Sequence, residues 1–204
     1  MKKIKLFALL AIGAIALASC TSKPEKTIEN LKAASTGEAN ASAKYAKFAQ
    51  KAEADSMFNV SAMFKAISEA EAIHKENHLK VLKGLGVDFN PQLKEASIGT
   101  TLENLKSSME GEKYEYTKMY PEFIKIAEQE KSKKAITSFD FAMKVEQKHS
   151  NLYNEAITLI NNEGNDLNLN KEWAVCPICG GTYKKGEVKH CNVCGTAAEK
   201  FKTF

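Results

Sequence analysis

The segment Glu71-Ala-Ile-His74 and its counterpart Glu146-Gln-Lys-His149 decide the fold that we expect for this chain. Residues three apart lie on one face of a helix, so each segment presents a carboxylate beside an imidazole. Glu38 and Glu112, each preceded by a glycine, supply a further carboxylate upstream of each segment. Four antiparallel helices would bring these side chains to one interior point, where only multivalent cations make buried charges tolerable.

The two halves of this constellation repeat each other. Glu71-x-x-His74 is matched by Glu146-x-x-His149 at an offset of 75 residues, and Gly37-Glu38 is matched by Gly111-Glu112 at an offset of 74. Duplication of a helical hairpin explains both matches and predicts a pseudo-two-fold axis through the bundle. The alternative is that each motif is a solvated part of a lysine- and glutamate-rich helix, but that alternative leaves the matched offsets unexplained. His78, by contrast, is expected to be solvated.

Helical periodicity extends over most of the chain. Apolar residues recur at intervals of three and four from Thr27 to about Lys83, with a turn at Asp55-Ser56, and again from Thr100 to about Asn161. The segment 84–99 contains three glycines and Asn90-Pro91, which break the periodicity. It is long enough to cross from one end of a bundle to the other, so residues 27–162 are expected to form an all-α four-helix bundle.

The C-terminal segment 173–204 holds two Cys-x-x-Cys motifs, Cys176-Pro-Ile-Cys179 and Cys191-Asn-Val-Cys194. Their spacing predicts a small β module around one tetrahedral metal held by four thiolates, joined to the bundle by a polar linker at 163–172. Iron and zinc both accept four sulfur ligands, and two disulfides are a further alternative outside the cytoplasm. His190 is not needed as a ligand. The aromatic residues expected to shield the metal are Trp173, Tyr183, Phe201 and Phe204.

The N-terminal segment 1–20 begins with lysines, continues as an apolar run and ends in Leu17-Ala18-Ser19-Cys20. It resembles a bacterial lipobox, in which the signal peptide is cleaved before the cysteine and Cys20 is acylated. We therefore expect a tether at 21–26 and a lipid anchor that holds the protein at a membrane of the cell envelope, on its periplasmic or surface face. An ordinary secretory peptide with an incidental cysteine is the alternative.

The charge of the chain gives no argument for a nucleic-acid partner. The formal net charge is +4, and it falls to about +1 without Lys2, Lys3 and Lys5. The chain has lysine but no arginine, which argues against rigid bidentate recognition of phosphate as a central function.

Hard oxygen ligands with few nitrogens favour iron or manganese in the bundle. Residues 37–45 (GEANASAKY) and 111–123 (GEKYEYTKMYPEF), together with the Glu-x-x-His motifs and the paired cysteine motifs, resemble the rubrerythrin family. The resemblance implies a ferritin-like bundle with two carboxylate-bridged iron ions and a rubredoxin-like Fe(Cys)4 module. The implied di-iron ligands are Glu38, Glu71, Glu112, Glu115, Glu146 and His149, with Glu71 and Glu146 bridging, and the implied Fe(Cys)4 ligands are Cys176, Cys179, Cys191 and Cys194.

The same resemblance implies a function. Rubrerythrin-like proteins reduce hydrogen peroxide to water, with electrons relayed from the Fe(Cys)4 centre and supplied by a donor protein that the sequence does not identify. Glu115 and His74 would exchange at one iron during turnover, and Tyr45 and Tyr120 would hydrogen-bond around the site. A head-to-tail homodimer or larger homo-oligomer is implied as well. The alternative is a non-enzymatic, ferritin-like iron-binding lipoprotein with a structural zinc ribbon.

Overall fold

The computed structural model describes residues 23–204 of the chain. The expected signal peptide and Cys20 lie outside the described residues. Among those described, no helix is long and apolar enough to span a bilayer. The helices are α1 (Glu25–Ala54), α2 (Phe58–Gly84), α3 (Thr101–Tyr114), α4 (Tyr120–Gln129) and α5 (Lys133–Glu163), with a π-helical turn at Glu115–Met119 that joins α3 to α4.

Two like hairpins build the bundle, as the repeat predicts. The first hairpin packs α1 against α2, and the second packs α3 and α4 against α5. Ser56 and Lys131 occupy matching turns, and both adopt the left-handed conformation, with φ of 59° and 56°. The predicted all-α four-helix bundle is therefore confirmed.

The crossover between the hairpins has no helix, and hydrogen bonds hold it at its C-terminal end and in its middle. Thr100 begins α3 with a capping box, in which its hydroxyl accepts from the Glu103 amide and the Glu103 carboxylate accepts from the Thr100 amide at 2.8 Å. In the middle, the Asn40 side chain accepts from the Lys94 amide at 2.6 Å and donates to the Gln92 carbonyl at 3.2 Å. These bonds hold the crossover over the part of α1 that carries Glu38.

The π-helical turn changes the register of the second hairpin. A π-turn contains one residue more than an α-turn, so every inward position after it moves by one. Tyr45 lies seven positions after Glu38 in α1, whereas Tyr120 lies eight positions after Glu112 across the π-turn. All four side chains are buried, so the extra residue keeps Tyr120 on the interior face.

The cysteine segment forms a three-stranded antiparallel sheet of β1 (Trp173–Val175), β2 (Thr182–Lys184) and β3 (Lys202–Thr203), in the order β2-β1-β3. Its first strand packs against α2, and the fully buried Trp173 and Val175 share a hydrophobic core with Phe64 and Ile67. The module is therefore packed on the bundle of its own chain.

The segment between bundle and module is held in place, although its composition predicts a linker. The Asp166 carboxylate accepts from the amides of Asn59 and Val60 at 2.7 and 2.9 Å, at the N-terminus of α2. The Asn59 side chain donates in return to the carbonyls of Asp166 and Leu169 at 2.9 and 3.2 Å. Since Asp166 is 4% exposed, this contact is part of the protein interior.

Candidate metal centres

Two groups of acidic and imidazole side chains meet at the centre of the bundle. In each group the candidate ligand atoms lie within 4.8 Å of one another, and all the residues are buried. Two glutamates belong to both groups, which makes them candidates for bridging ligands. The groups are Glu38, Glu71, His74 and Glu146, and Glu71, Glu112, Glu146 and His149.

The two shared glutamates each face both histidines. Glu71 places one carboxylate oxygen 2.9 Å from His74 Nδ1 and the other 3.1 Å from His149 Nδ1. Glu146 places its oxygens at 2.7 Å from His74 Nδ1 and 2.8 Å from His149 Nδ1. A carboxylate that offers one oxygen to each of two positions has the geometry of a bridging ligand.

The buried polar atoms at this point fit a pair of cations. Glu38 Oε2, both Glu71 oxygens, His74 Nδ1 and Glu146 Oε1 have no hydrogen-bond partner among the described residues. A buried polar atom left without a partner costs about 1–3 kcal/mol. These unpartnered atoms belong to the two groups, so cations bound there would remove the cost.

The protonation of the metal-free site leads to the same conclusion. Burial, followed by repulsion from neighbouring carboxylates, raises the pKa of Glu38 and of Glu112 well above its usual range. Burial would also raise the pKa of Glu71, but attraction to His149 and the close approach of both imidazole rings outweigh it and lower the pKa to about 2. Protons on Glu38 and Glu112 thus stand where cations would bind, and binding would release them.

Both histidines are oriented by the cysteine module. His74 donates its Nε2 proton to the Cys179 carbonyl at 3.0 Å. His149 donates from Nε2 to the Thr182 hydroxyl at 3.0 Å, because that hydroxyl is itself the donor to the Gly180 carbonyl. A proton fixed on Nε2 leaves Nδ1 of each ring free to bind a metal.

Glu115, an expected ligand, lies outside both groups. It is half-buried at the start of the π-helical turn and lines a cavity of about 210 Å³ with Lys44, Tyr45 and Lys94. A Cβ added at Gly37 would lie 4.0 Å from Glu115 Oε1, in ordinary van der Waals contact, so Gly37 borders the carboxylate without crowding it. Of the two residues expected to exchange, His74 is the one that the structure places with the other ligands.

Each expected tyrosine donates to a terminal glutamate of the site. Tyr45 donates its hydroxyl proton to Glu112 at 2.5 Å, and Tyr120 donates to Glu38. Both tyrosines are buried. Each hydrogen bond therefore crosses between the hairpins and holds one carboxylate in place.

His78, which was expected to be solvated, is fully buried, so that prediction is wrong. Its Nδ1 lies 2.8 Å from Ser138 Oγ, and its Nε2 lies 3.1 Å from the Tyr120 hydroxyl. A signal was present in the sequence, because His78 matches Tyr153 at the same offset of 75 that relates the Glu-x-x-His motifs. Tyr153 is also fully buried.

The four cysteines of the module form one sulfur cluster. Cys176 Sγ lies 3.5 Å from Cys194 Sγ, and Cys179 Sγ lies 3.4 Å from Cys191 Sγ. None of the four is in a disulfide bond, so the alternative of two disulfides is not what the structure shows. Four sulfurs within 4.8 Å of one another suit a single tetrahedral metal.

The aromatic shielding of the cluster differs from the expectation. Tyr183 and Phe201 stack beside the sulfurs with ring centroids 5.6 Å apart. Trp173 and Phe204 pack against the bundle core instead, because β1 lies on α2. The Tyr183 hydroxyl accepts from the Asn192 amide at 2.9 Å and lies 3.3 Å from Cys191 Sγ, to which it would donate its proton when that sulfur is a metal-bound thiolate.

Comparisons with known proteins agree with this pair of centres. The profile of the rubrerythrin family matches residues 29–157. Rubrerythrin-2 of Clostridium acetobutylicum is 32% identical over 184 residues, which cover 89% of this chain and 98% of that protein. Nigerythrin of Nitratidesulfovibrio vulgaris is 32% identical over 179 residues, with 87% and 86% covered.

A solved structure is similar over the same range. The fully reduced, all-ferrous state of nigerythrin superposes with a TM-score of 0.79 at 28% identity, covering 98% of this chain and all of that one. The two clusters correspond to the di-iron site and the rubredoxin-like Fe(Cys)4 centre of the family. This chain therefore belongs to the rubrerythrin family.

Proposed function

We propose that this protein is a peroxidase that reduces hydrogen peroxide to water at its di-iron site, with electrons relayed through its Fe(Cys)4 centre. The observation that carries the proposal is the hydrogen bond from His74 Nε2 to the Cys179 carbonyl, which joins the two clusters. Membership of the rubrerythrin family supports the same activity. The reaction consumes two electrons and two protons for each peroxide and yields two waters.

The geometry supports a division of the ligands between two iron ions. His74 and Glu38 would hold one ion, and His149 and Glu112 would hold the other, each through Nδ1 or a carboxylate oxygen. Glu71 and Glu146 would bridge them. When bound, the pair of irons supplies two electrons at one place, as peroxide reduction requires.

The relay would run through groups that are already in contact. Cys179 is a sulfur ligand of one centre, and its own backbone carbonyl accepts the Nε2 proton of His74, a ligand of the other. Thr182 and His149 make a second link between module and bundle. Electrons arriving singly at the sulfur cluster would thus reach the bundle through covalent bonds and one hydrogen bond.

The cavity beside Glu115 supports a route for peroxide. Its volume of about 210 Å³ is ample for a molecule of two oxygen atoms, and it reaches Tyr45 and Glu115 from the side of the crossover. The lack of a side chain at Gly37, the residue before Glu38, also avoids crowding beside the Glu115 carboxylate. We therefore retain the exchange of Glu115 with His74 as part of the proposal.

Three further points extend the proposal. An electron-donor protein would reduce the Fe(Cys)4 centre, and acylation of Cys20 would hold the protein at the cell envelope. Two copies would form a homodimer or part of a larger oligomer. Because the module of this chain lies on the bundle of the same chain, the relay would be complete within one copy, rather than between the head-to-tail partners implied by the resemblance.

Metal analysis combined with anaerobic peroxide titration of residues 21–204 tests the proposal. We expect three iron ions per chain, a red colour from ferric thiolate, and the oxidation of two ferrous ions for each peroxide consumed. Replacing Glu146 with Ala should abolish both di-iron binding and peroxide turnover, since it removes a bridge. A colourless, zinc-loaded module with no peroxide consumption would favour the iron-binding lipoprotein instead.

A further inference from the structure

His78 contacts the hydroxyl of Tyr120, one of the two tyrosines that donate to glutamates of the di-iron site. It is completely buried between Tyr120 and Phe139, with ring centroids 5.9 and 5.3 Å away. Its two nitrogens make separate contacts, Nε2 with the Tyr120 hydroxyl and Nδ1 with Ser138 Oγ. A buried imidazole with both nitrogens engaged is held in a single orientation.

The direction of these hydrogen bonds is fixed by their end at Glu38. The Tyr120 hydroxyl donates its only proton to the Glu38 carboxylate, so its oxygen must accept from His78. His78 therefore carries its proton on Nε2, and Nδ1 must accept from the Ser138 hydroxyl. Ser138, His78 and Tyr120 thus form a chain in which every donor points towards Glu38.

The imidazole stays neutral in this environment. Burial, with a smaller contribution from repulsion by His74, lowers the pKa of His78 to about 3. A neutral ring with one donor and one acceptor nitrogen is what the chain requires. A charged ring would have two donors and could not accept from Ser138.

The other half of the site lacks this arrangement. Tyr45 corresponds to Tyr120, and Tyr153 corresponds to His78. The Tyr153 ring packs edge-on against Tyr45 at 5.7 Å, but its hydroxyl has no hydrogen-bond partner among residues 23–204. The two terminal glutamates are therefore supported differently, Glu112 by a tyrosine alone and Glu38 by a tyrosine with a histidine behind it.

We propose that His78 is a positioning residue that holds the Tyr120 hydroxyl proton on Glu38 and thereby makes the two metal positions of the site inequivalent. The inference rests on the proposed di-iron site but not on the substrate. A hydrogen bond donated to a ligand withdraws negative charge from the metal and favours its reduced state. A change at His78 would therefore affect the reduction potential of the metal bound by Glu38 more than that of the metal bound by Glu112.

A double-mutant cycle on the reduction potentials of the iron-loaded protein tests this role. We expect His78→Leu and Tyr120→Phe each to disfavour one-electron reduction about tenfold, a shift of about 59 mV to lower potential. The double variant should shift no further than Tyr120→Phe, because His78 acts only through that hydroxyl. His78→Gln, which retains an N–H donor, should recover most of the wild-type potential. Tyr153→Phe is the matched control on the opposite half and should leave the potentials unchanged.

Two results would overturn the proposal. One is an unchanged potential in His78→Leu, and the other is a shift that adds in full to that of Tyr120→Phe. If His78→Leu does not fold, Ser138→Ala can be measured instead. This variant keeps the buried His78 ring but removes the hydroxyl that fixes the His78 proton on Nε2. That variant should shift the potential in the same direction by a smaller factor, and no shift would again contradict the role. If the wild-type protein does not turn over peroxide, the proposed peroxidase function is refuted, but the potentials expected for these variants stay the same.

Discussion

The imidazole of His74 donates its Nε2 proton to the backbone carbonyl of Cys179 at 3.0 Å, within one chain. One residue belongs to the carboxylate cluster of the bundle and the other to the sulfur cluster of the module. Their contact needs a close approach of the two backbones, and Gly180 permits it. A Cβ added at Gly180 would lie 2.5 Å from His74 Nε2 and 3.0 Å from the Ala70 carbonyl oxygen.

Replacing Gly180 with Ala should push the module away from His74 and slow electron transfer between the centres. Gly195 is a matched control, because it follows the other cysteine motif with a φ of +78°, against +77° at Gly180, and has nothing within 4 Å of its added Cβ. Both substitutions carry the cost of a left-handed alanine, about 1–2 kcal/mol. Stopped-flow reoxidation of the Fe(Cys)4 centre should slow only in Gly180→Ala. Equal rates in the two variants would mean that the contact does not carry electrons.

Pairing two inactive chains distinguishes a relay within one copy from a relay between copies. Cys176→Ser disables the sulfur cluster, and Glu146→Ala disables the bundle site. Because the module packs on its own bundle, hetero-oligomers of the two variants, isolated with two affinity tags, should remain as inactive as each parent. Recovered peroxide turnover would show that the module of one copy serves the bundle of another.

Tyr183→Phe should lower the reduction potential of the Fe(Cys)4 centre. The Tyr183 hydroxyl donates to Cys191 Sγ at 3.3 Å, and a hydrogen bond to a thiolate ligand favours the reduced metal. The ring and its stacking on Phe201 are retained in the variant. A redox titration followed by visible absorption measures the shift. A potential that stays the same or rises would contradict this assignment of the donor.

The metal-free protein should lose stability as the pH rises from about 6 to 9, and the iron-loaded protein should not. The pKa values of Glu38 and Glu112 are raised, so their ionisation at higher pH leaves buried charges unpaired and destabilises the folded state. Burial lowers the pKa of His149, but the nearby Glu71 and Glu146 raise it overall to about 8, so the stability that its charged form contributes is also lost as the pH rises through that value. Thermal unfolding of both forms at the two pH values measures the difference. A metal-free protein of equal stability at pH 6 and pH 9 would contradict the site electrostatics.

The fold and most of the bundle site were predictable because the Glu-x-x-His spacing and the repeat are patterns that can be read directly along the sequence. The π-helical turn was not predicted, although the sequence carried a sign of it. The repeat has an offset of 74 at Glu112 and of 75 at Tyr120, and that change is the extra residue of the turn.

What the sequence could not supply are contacts between distant segments. The burial of His78 depends on Ser138 and Tyr120, which come from the second hairpin. The placement of the module depends on the Asp166 carboxylate and the Asn59 side chain, which join residues 163–172 to the start of α2, where composition alone indicated a polar linker. The side chains that make such contacts have no periodic pattern, so only the packed structure reveals them.

The central claim is that the two clusters form one working electron path, and reoxidation of the sulfur centre by peroxide tests it most directly. The fully reduced protein, which holds three electrons per chain when three ferrous ions are bound, is mixed anaerobically with a twofold molar excess of hydrogen peroxide, and ferric-thiolate absorption is followed in the wild type and in Glu146→Ala. We expect the absorption to return rapidly in the wild type and far more slowly in the variant, which keeps its module but lacks a bridging carboxylate. Equal rates in both proteins would show that peroxide oxidises the sulfur centre without the bundle site and would contradict the relay.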